Sequence, residues 1–186
     1  YLDRLREAGV EPEEIDFVMC THLHVDHVGW NTRLENGKWV PTFPNAKYVM
    51  SRTDHDFWEA EAKRPGTEAF KVNTYNDSVL PIVEARKAEF VTGEHAMCGC
   101  LTLKPAPGHT PGQIRVDLDS RGKRAIFAGD ALRSSSASEA SRSAILRMPN
   151  ASPRSSRGVG GAPGSLGFFS APPRPGSASP SFVRTR

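Results

Sequence analysis

The chain has 186 residues, of which 38% are hydrophobic, enough for one domain with a buried core. It contains no apolar run long enough to span a bilayer. Its three cysteines are few and odd in number, which argues against a disulfide framework and favours a reducing compartment such as the cytoplasm. The net charge of +3 comes from residues 133–186, which carry eight Arg and one acid, because residues 1–132 have more acidic than basic side chains.

The beginning of the chain predicts a short helix followed by a buried strand. Residues 1–9 are amphipathic and end at Gly9, a common helix terminator. Residues 15–20 form an apolar run of strand length. Because the sequence starts at Tyr1 in the middle of a helical pattern, we expect it to be a fragment.

The segment after this strand contains three histidines and an aspartate within the six residues from His22 to His27. Such side chains are poor core material, whereas neutral imidazole and carboxylate groups are ligands for Zn²⁺. His22 and His24 are two residues apart, which in extended backbone directs both side chains to one side. Asp26 and His27 lie on the following turn and can face a second cation. The alternative, surface histidines on a loop, does not explain this spacing.

The next part of the chain predicts a hairpin around Asn36-Gly37, a strand over residues 47–51 and a helix over residues 51–62. Asp54 falls in the first turn of that helix, where a carboxylate interacts favourably with the helix dipole. We interpret His55, on the same helix, as a surface residue rather than a ligand.

Three aromatic side chains in the first part of the chain, Trp30, Trp39 and Phe43, admit two interpretations. They line an apolar substrate pocket, or they are ordinary core residues.

The second half of the ordered pattern predicts one helix over residues 76–86 and strands over residues 89–91, 101–103, 114–119 and 124–128. Cys98 and Cys100 are interpreted as part of a hairpin, since no second cysteine pair would complete a soft metal site. His95 is assigned to a loop and given no role.

Two further polar motifs follow, and each alone is a weak signal. Residues 108–112 read Gly-His-Thr-Pro-Gly and include His109, and Asp130 follows Gly129 directly after an apolar strand pattern. With the His22–His27 segment, the order of the motifs resembles that of the metallo-β-lactamase superfamily. Residues 28–31, Val-Gly-Trp-Asn, and the Pro-containing run around residues 39–45 look most like those of its lactonase and organophosphate-hydrolase branch.

This resemblance implies an α/β fold, namely an αββα sandwich of mixed sheets flanked by helices, of which residues 1–132 would form a partial domain. It also implies Zn²⁺ at two sites, the second of them incomplete, with iron or manganese as alternatives. The implied first metal site consists of His22, His24 and His109; the implied second site consists of Asp26, His27 and Asp130, with Asp130 bridging the two.

In such a site a metal-activated hydroxide would attack a small-molecule substrate, with Asp26 and Asp130 as the catalytic carboxylates. The bond would be of the ester type, in a lactone, ester, thioester, β-lactam or organophosphate. Two alternatives stay open: a mononuclear iron dioxygenase of the same fold, which needs only the first site, and a non-functional fragment.

Residues 133–186 are rich in Ser, Arg, Pro and Gly, and this composition predicts a disordered or out-of-frame tail. The family would supply one more metal-binding histidine in this region, but the chain has no histidine after His109, so the second site is expected to be incomplete and the activity to be impaired by the missing segments. The basic charge of the tail is interpreted as a solvated coil rather than a nucleic-acid arm. We therefore expect neither a nucleic acid nor a membrane as a partner, and the oligomeric state stays open.

Overall fold

The computed structural model describes residues 1–131 throughout and, beyond them, the backbone of three strands at residues 143–147, 167–169 and 181–184. The helices are α1 (Leu2–Glu7), α2 (Val25–Val28), α3 (Arg52–Lys63), α4 (Ala69–Ser78) and α5 (Leu80–Glu84). The strands are β1 (Phe17–Cys20), β2 (Thr32–Glu35), β3 (Lys38–Pro41), β4 (Lys47–Ser51), β5 (Ala88–Val91), β6 (His95–Met97), β7 (Leu101–Pro105), β8 (Ile114–Ser120), β9 (Lys123–Phe127), β10 (Ser143–Arg147), β11 (Gly167–Phe169) and β12 (Ser181–Arg184). Single 3₁₀ turns lie at Pro12–Glu14 and Gly129–Ala131.

The described strands form two main sheets and one hairpin. The mixed sheet has the order β11-β12-β10-β1-β4-β5, in which β1, β4 and β5 run parallel. The second sheet is the antiparallel meander β6-β7-β8-β9, and β2 pairs with β3 as the predicted hairpin. Sheets and helices together confirm the predicted mixed α/β class.

Alternation along the central strands explains how the layers stack. In β1, Val18 and Cys20 pack into a cluster shared with the helices, whereas Met19 points to the opposite face and packs against the meander. In β4, Tyr48 packs into the cluster shared with the helices, and Val49 packs against the meander. Because side chains of a strand alternate between its two faces, a strand that is apolar on both must be covered on both sides. The mixed sheet therefore lies between a helical layer and the meander.

The helix predicted over residues 76–86 is wrong in its extent. The structure has two helices there, α4 ending at Ser78 and α5 beginning at Leu80. Pro81 occupies the first turn of α5, where its missing N–H costs nothing, and it would disrupt the interior of a longer helix. The His95 segment, predicted to be a loop, forms the edge strand β6.

The segment after residue 132 is described only in part. Strand β10 pairs antiparallel with β1, and β12 pairs with β10 and β11. The other residues between 132 and 186 lie outside the described part of the chain, so the domain boundary at 132/133 and the character of the tail stay predictions. None of the helices that the structure describes has both the length and the apolar character needed to cross a membrane.

Candidate metal centre

Three loops and the start of α3 meet at one edge of the two sheets. Strands β1 and β4 run parallel, so their carboxyl ends open at the same edge, and the β7–β8 loop and the end of β9 reach it from the meander. The carbonyl oxygen of Thr21, just after β1, accepts a hydrogen bond of 2.8 Å from the N–H of Ile114 at the start of β8. This bond joins the two sheets directly beneath the loops, a common location for ligand sites in α/β folds.

The first histidine group consists of His22, His24 and His109. The His24 Nδ1 atom lies 3.1 Å from His22 Nε2 and 2.9 Å from His109 Nε2. A ring nitrogen offers one proton or one lone pair, so it cannot form both hydrogen bonds well. A cation accepts all three lone pairs, and the spacing approaches the edge of about 3.4 Å of a tetrahedron with Zn–N bonds of about 2.0–2.1 Å. The donor set thus fits a metal ion.

The environment of the group favours neutral imidazole. His22 is 1% exposed, whereas His24 and His109 are partly exposed toward solvent. Burial and, next, the neighbouring His109 lower the pKa of His24, while the carboxylates of Asp26 and Asp54 act in the opposite direction. Neutral imidazole is the form that binds metal, so this shift favours coordination near neutral pH.

The second ligand group consists of Asp26, His27 and Asp130. His27 is buried on the one-turn helix α2, and its Nε2 atom lies 3.7 Å from Asp26 Oδ2 and 3.5 Å from Asp130 Oδ1. The other oxygen of Asp130, Oδ2, lies 3.4 Å from His109 Nε2. The Asp130 carboxylate therefore stands between the two groups, and all six side chains singled out in the sequence are brought together at this edge.

Asp54 is a buried carboxylate beside the centre that sequence reasoning treated only as a helix-start residue. It is 0% exposed, in the first turn of α3. Its Oδ2 atom accepts a hydrogen bond of 2.8 Å from the N–H of Leu23, and its Oδ1 atom accepts one of 3.0 Å from the N–H of Gly112. No sequence pattern indicates that this carboxylate contacts the metal-binding loops, because its partners are backbone N–H groups of two loops that are distant in sequence.

Two glycines allow the ligand loops to approach their supports closely. A Cβ atom at Gly112 would lie 2.1 Å from the backbone nitrogen of Asp54, so no larger residue fits there without movement. At Gly129, with φ of +53°, a Cβ atom would lie 2.6 Å from Thr21 Oγ1. The side-chain amide of Gln113 donates to the carbonyl of Ala128, which ties the His109 loop to the Asp130 loop.

A cavity of about 290 Å³ opens beside the centre. Two of its walls are ligand candidates, His24 and Asp26, and the ring of Trp58 lies edge-on to His24 at 5.1 Å between centroids. The remaining lining is largely apolar: Leu23, Val25, Phe70, Lys71, Thr74, Tyr75 and Val79.

The aromatic residues considered from the sequence do not line this cavity. Phe43 is fully buried in the core, which supports the core interpretation for that residue, and Trp30 packs against Tyr1. Trp58, Phe70 and Tyr75 were missed because they lie on α3 and α4, and their approach to the metal loop depends on how those helices pack.

The interpretation of His55 as a surface residue is wrong. His55 is 5% exposed, its Nδ1 atom lies 2.9 Å from Asp56 Oδ1 and its Nε2 atom lies 3.3 Å from the hydroxyl of Tyr75. With Asp56 and Glu59 it forms another group whose ligand atoms lie close together. Both ring nitrogens already face protein partners, so His55 serves to join α3 to α4 and does not belong to the centre.

Comparison with known proteins identifies related sequences. A family profile described as the metallo-beta-lactamase superfamily matches residues 1–172. The protein YobT of Bacillus subtilis (strain 168) is 29% identical over 119 residues, which cover 64% of this chain and 47% of YobT. An N-acyl homoserine lactonase from a Bacillus species is 27% identical over 116 residues, which cover 62% of this chain and 38% of the lactonase. The chain thus spans less than half the length of these curated relatives.

Solved structures resemble the described fold. The hydrolase AbOPH of the beta lactamase superfamily superposes with a TM-score of 0.59 at 27% identity, covering 69% of this chain and 45% of AbOPH. AidC, a dizinc quorum-quenching lactonase solved with a product, gives a TM-score of 0.54 at 26% identity, covering 69% of this chain and 46% of AidC.

Proposed function

The chain belongs to the metallo-beta-lactamase superfamily, and on that premise we propose that it is a metal-dependent hydrolase that cleaves an ester-type bond in a small-molecule substrate. The proposed ligands are the first histidine group for one Zn²⁺ ion and the second ligand group for another. The proposal concerns the activity of the protein as a whole, because its relatives are more than twice as long as the matched segment.

The position of Asp130 carries the proposal. Its two oxygens lie 3.4 Å from His109 Nε2 and 3.5 Å from His27 Nε2, so one carboxylate faces both groups of ligands. A mononuclear site, including one in which two histidines and one carboxylate hold iron, would use only one side of this carboxylate. A shared carboxylate fits a two-metal hydrolytic site, in which the cations lie about 3.5–4 Å apart.

Two dications held there would lower the pKa of a shared water toward about 7 and polarise the bond under attack. We assign to Asp26 the role of orienting that water and moving its proton, and the position of its carboxylate, which lines the cavity beside His27, supports this role. The ring of His24 lines the same wall, so the reacting group of a substrate in the cavity would lie next to both ligand groups.

The cavity supports a substrate with an apolar arm. Its volume of about 290 Å³ and its Trp58, Phe70 and Tyr75 walls suit a short acyl or aryl group, while the polar end would face Asp26. Because one relative is an N-acyl homoserine lactonase and one structural neighbour is a lactonase, we propose an acylated lactone as the first substrate to test.

The test combines metal analysis with hydrolysis. Purified chain is expected to contain zinc and to hydrolyse an N-acyl homoserine lactone faster than an aryl ester or an aryl phosphotriester, to lose activity with a chelator and to regain it with Zn²⁺. His22→Ala removes a proposed ligand of the first histidine group and is expected to lose metal. His95→Ala is its matched control, since the His95 side chain lies outside the centre and is 39% exposed.

The same measurements distinguish the other interpretations. One iron per chain together with oxygen consumption would show that the protein is a mononuclear iron dioxygenase and not a hydrolase. Folded protein that binds no metal at all would overturn the metal-dependent activity.

A further inference from the structure

We propose that Asp54 is a positioning residue that holds the first histidine group in its metal-binding arrangement. This role rests on the proposed function, because it concerns the same metal ligands. Asp54 is not a ligand itself: both its oxygens accept hydrogen bonds from backbone N–H groups.

The two hydrogen bonds of Asp54 reach the two loops that supply the group. Leu23 lies between the ligands His22 and His24, and its N–H donates to Asp54 Oδ2 at 2.8 Å. Gly112 lies three residues after His109, and its N–H donates to Asp54 Oδ1 at 3.0 Å. One carboxylate therefore fixes the distance between loops that are far apart in sequence, and that distance decides whether the three ring nitrogens converge.

A carboxylate is chemically suited to this position. It offers two acceptor oxygens and no donor, so it can accept from two converging N–H groups at once. An asparagine of the same shape would offer one acceptor and direct an N–H₂ group at the second backbone N–H. That backbone N–H would lose its partner while buried, which costs about 1–3 kcal/mol.

Asp54 is itself held by two further contacts. Its backbone N–H donates to Ser51 Oγ at 3.4 Å, which caps α3, and Asp54 is 0% exposed. The backbone of Gly112 packs so closely on Asp54 that a Cβ atom at Gly112 would lie 2.1 Å from the Asp54 nitrogen. The hydrogen bond and the close contact are independent features that join the His109 loop to the start of α3.

The experiment is a Co²⁺ titration of the metal-free full chain, followed by visible absorption. Asp54→Asn is expected to weaken Co²⁺ binding by about 10–100-fold, the usual effect of losing a group that orients metal ligands, and to change the Co²⁺ spectrum. Asp54→Glu displaces the same carboxylate by one methylene and is expected to weaken binding by about 3–10-fold. Asp119→Asn, the same chemical change at an exposed side chain on β8, should bind like wild type.

Thermal unfolding of each metal-free variant separates positioning from folding, because a merely structural role would lower stability and leave the affinity and spectrum of the folded protein unchanged. Folded Asp54→Asn with wild-type affinity and spectrum would overturn the role. If Asp54→Asn does not fold, Asp54→Glu decides in the same way, and unchanged binding by that variant overturns the role. A wild-type chain that binds no Co²⁺ would instead overturn the proposed metal centre, and the role of Asp54 with it.

Discussion

The two ligand groups of the centre differ in composition, spacing and support. The first histidine group contains only ring nitrogens, 2.9–3.1 Å apart where they face one another, and Asp54 joins both of its loops. The second ligand group contains two partly exposed carboxylates around buried His27, at 3.5–3.7 Å. We therefore expect the first group to hold one cation tightly, and the second group to converge only when it binds a cation.

This difference implies an order of metal loading. A site whose ligands already converge loses little conformational freedom on binding, so its metal affinity is higher. The second group must bring together side chains on α2 and on the Gly129–Ala131 turn, and both acids retain contact with water. We therefore expect the first group to load first and the second to load at higher metal concentration.

The largest effect is expected from breaking the first group. His22→Ala removes a ring that is 1% exposed and lies 3.9 Å from the His27 ring between centroids, so it disturbs both groups. We expect metal affinity to fall by more than about 1,000-fold, or about 4 kcal/mol, measured by competition with a chromophoric chelator. His109→Ala should lose metal to a similar extent. Because His109 is more exposed than His22, this variant does not leave a cavity in the core. Metal retained by both variants would refute the assignment of the first group.

A smaller and more selective effect is expected from Asp130→Asn. The amide keeps the shape of the side chain and removes the charge shared between the groups, so the first metal should stay and the second should leave. We expect kcat/KM for the best lactone or ester to fall by about 100-fold, or about 2.7 kcal/mol. Metal content and kinetics are measured on the same sample; full activity with one metal per chain would show that the second group is dispensable.

The fold near the centre was largely predictable because its signals are local. The alternating or apolar runs of β1, β4 and β8 and the capped start of α3 each appear within a few residues. The division into α4 and α5 was missed, since apolar Val79, Leu80 and Ile82 continue a helical pattern across the junction and only Pro81 marks the break.

The centre itself was predictable to the extent that its ligands lie in dense motifs. His22, His24, Asp26 and His27 are adjacent in sequence, and His109 and Asp130 stand in distinctive short contexts. Asp54 and Trp58 could not be assigned from sequence, because their roles arise from tertiary contacts to Leu23, Gly112 and His24. Composition and spacing report on ligands, whereas the groups that hold ligands in place depend on packing.

Gly129→Ala tests the close contact between the Asp130 turn and Thr21, whose hydroxyl oxygen also lies 3.3 Å from His22 Nδ1. A Cβ atom there would lie 2.6 Å from Thr21 Oγ1 and the residue has φ of +53°, so we expect a loss of about 2–3 kcal/mol in unfolding free energy. Gly122→Ala is the matched control, because Gly122 has φ of +72° with no atom near its Cβ position and should lose only about 1 kcal/mol. Urea unfolding measures both, and equal losses would show that the contact with Thr21 contributes nothing.

The smallest expected effect concerns Cys20, the last residue of β1 before the first histidine group. Burial raises the pKa of its thiol to about 11, with Asp54 acting in the same direction and the Asn31 side chain against it. At pH 8 about one Cys20 thiol in a thousand would be ionised, and the buried sulfur is also shielded from reagents. Iodoacetamide should therefore modify Cys98 and Cys100, which are partly exposed, well before Cys20 even in metal-free protein, as followed by peptide mass spectrometry. Cys20 modified as fast as Cys98 would mean that the loop after β1 opens without metal. The ligands of the first group would then not converge before metal binds, contrary to the order of loading expected above.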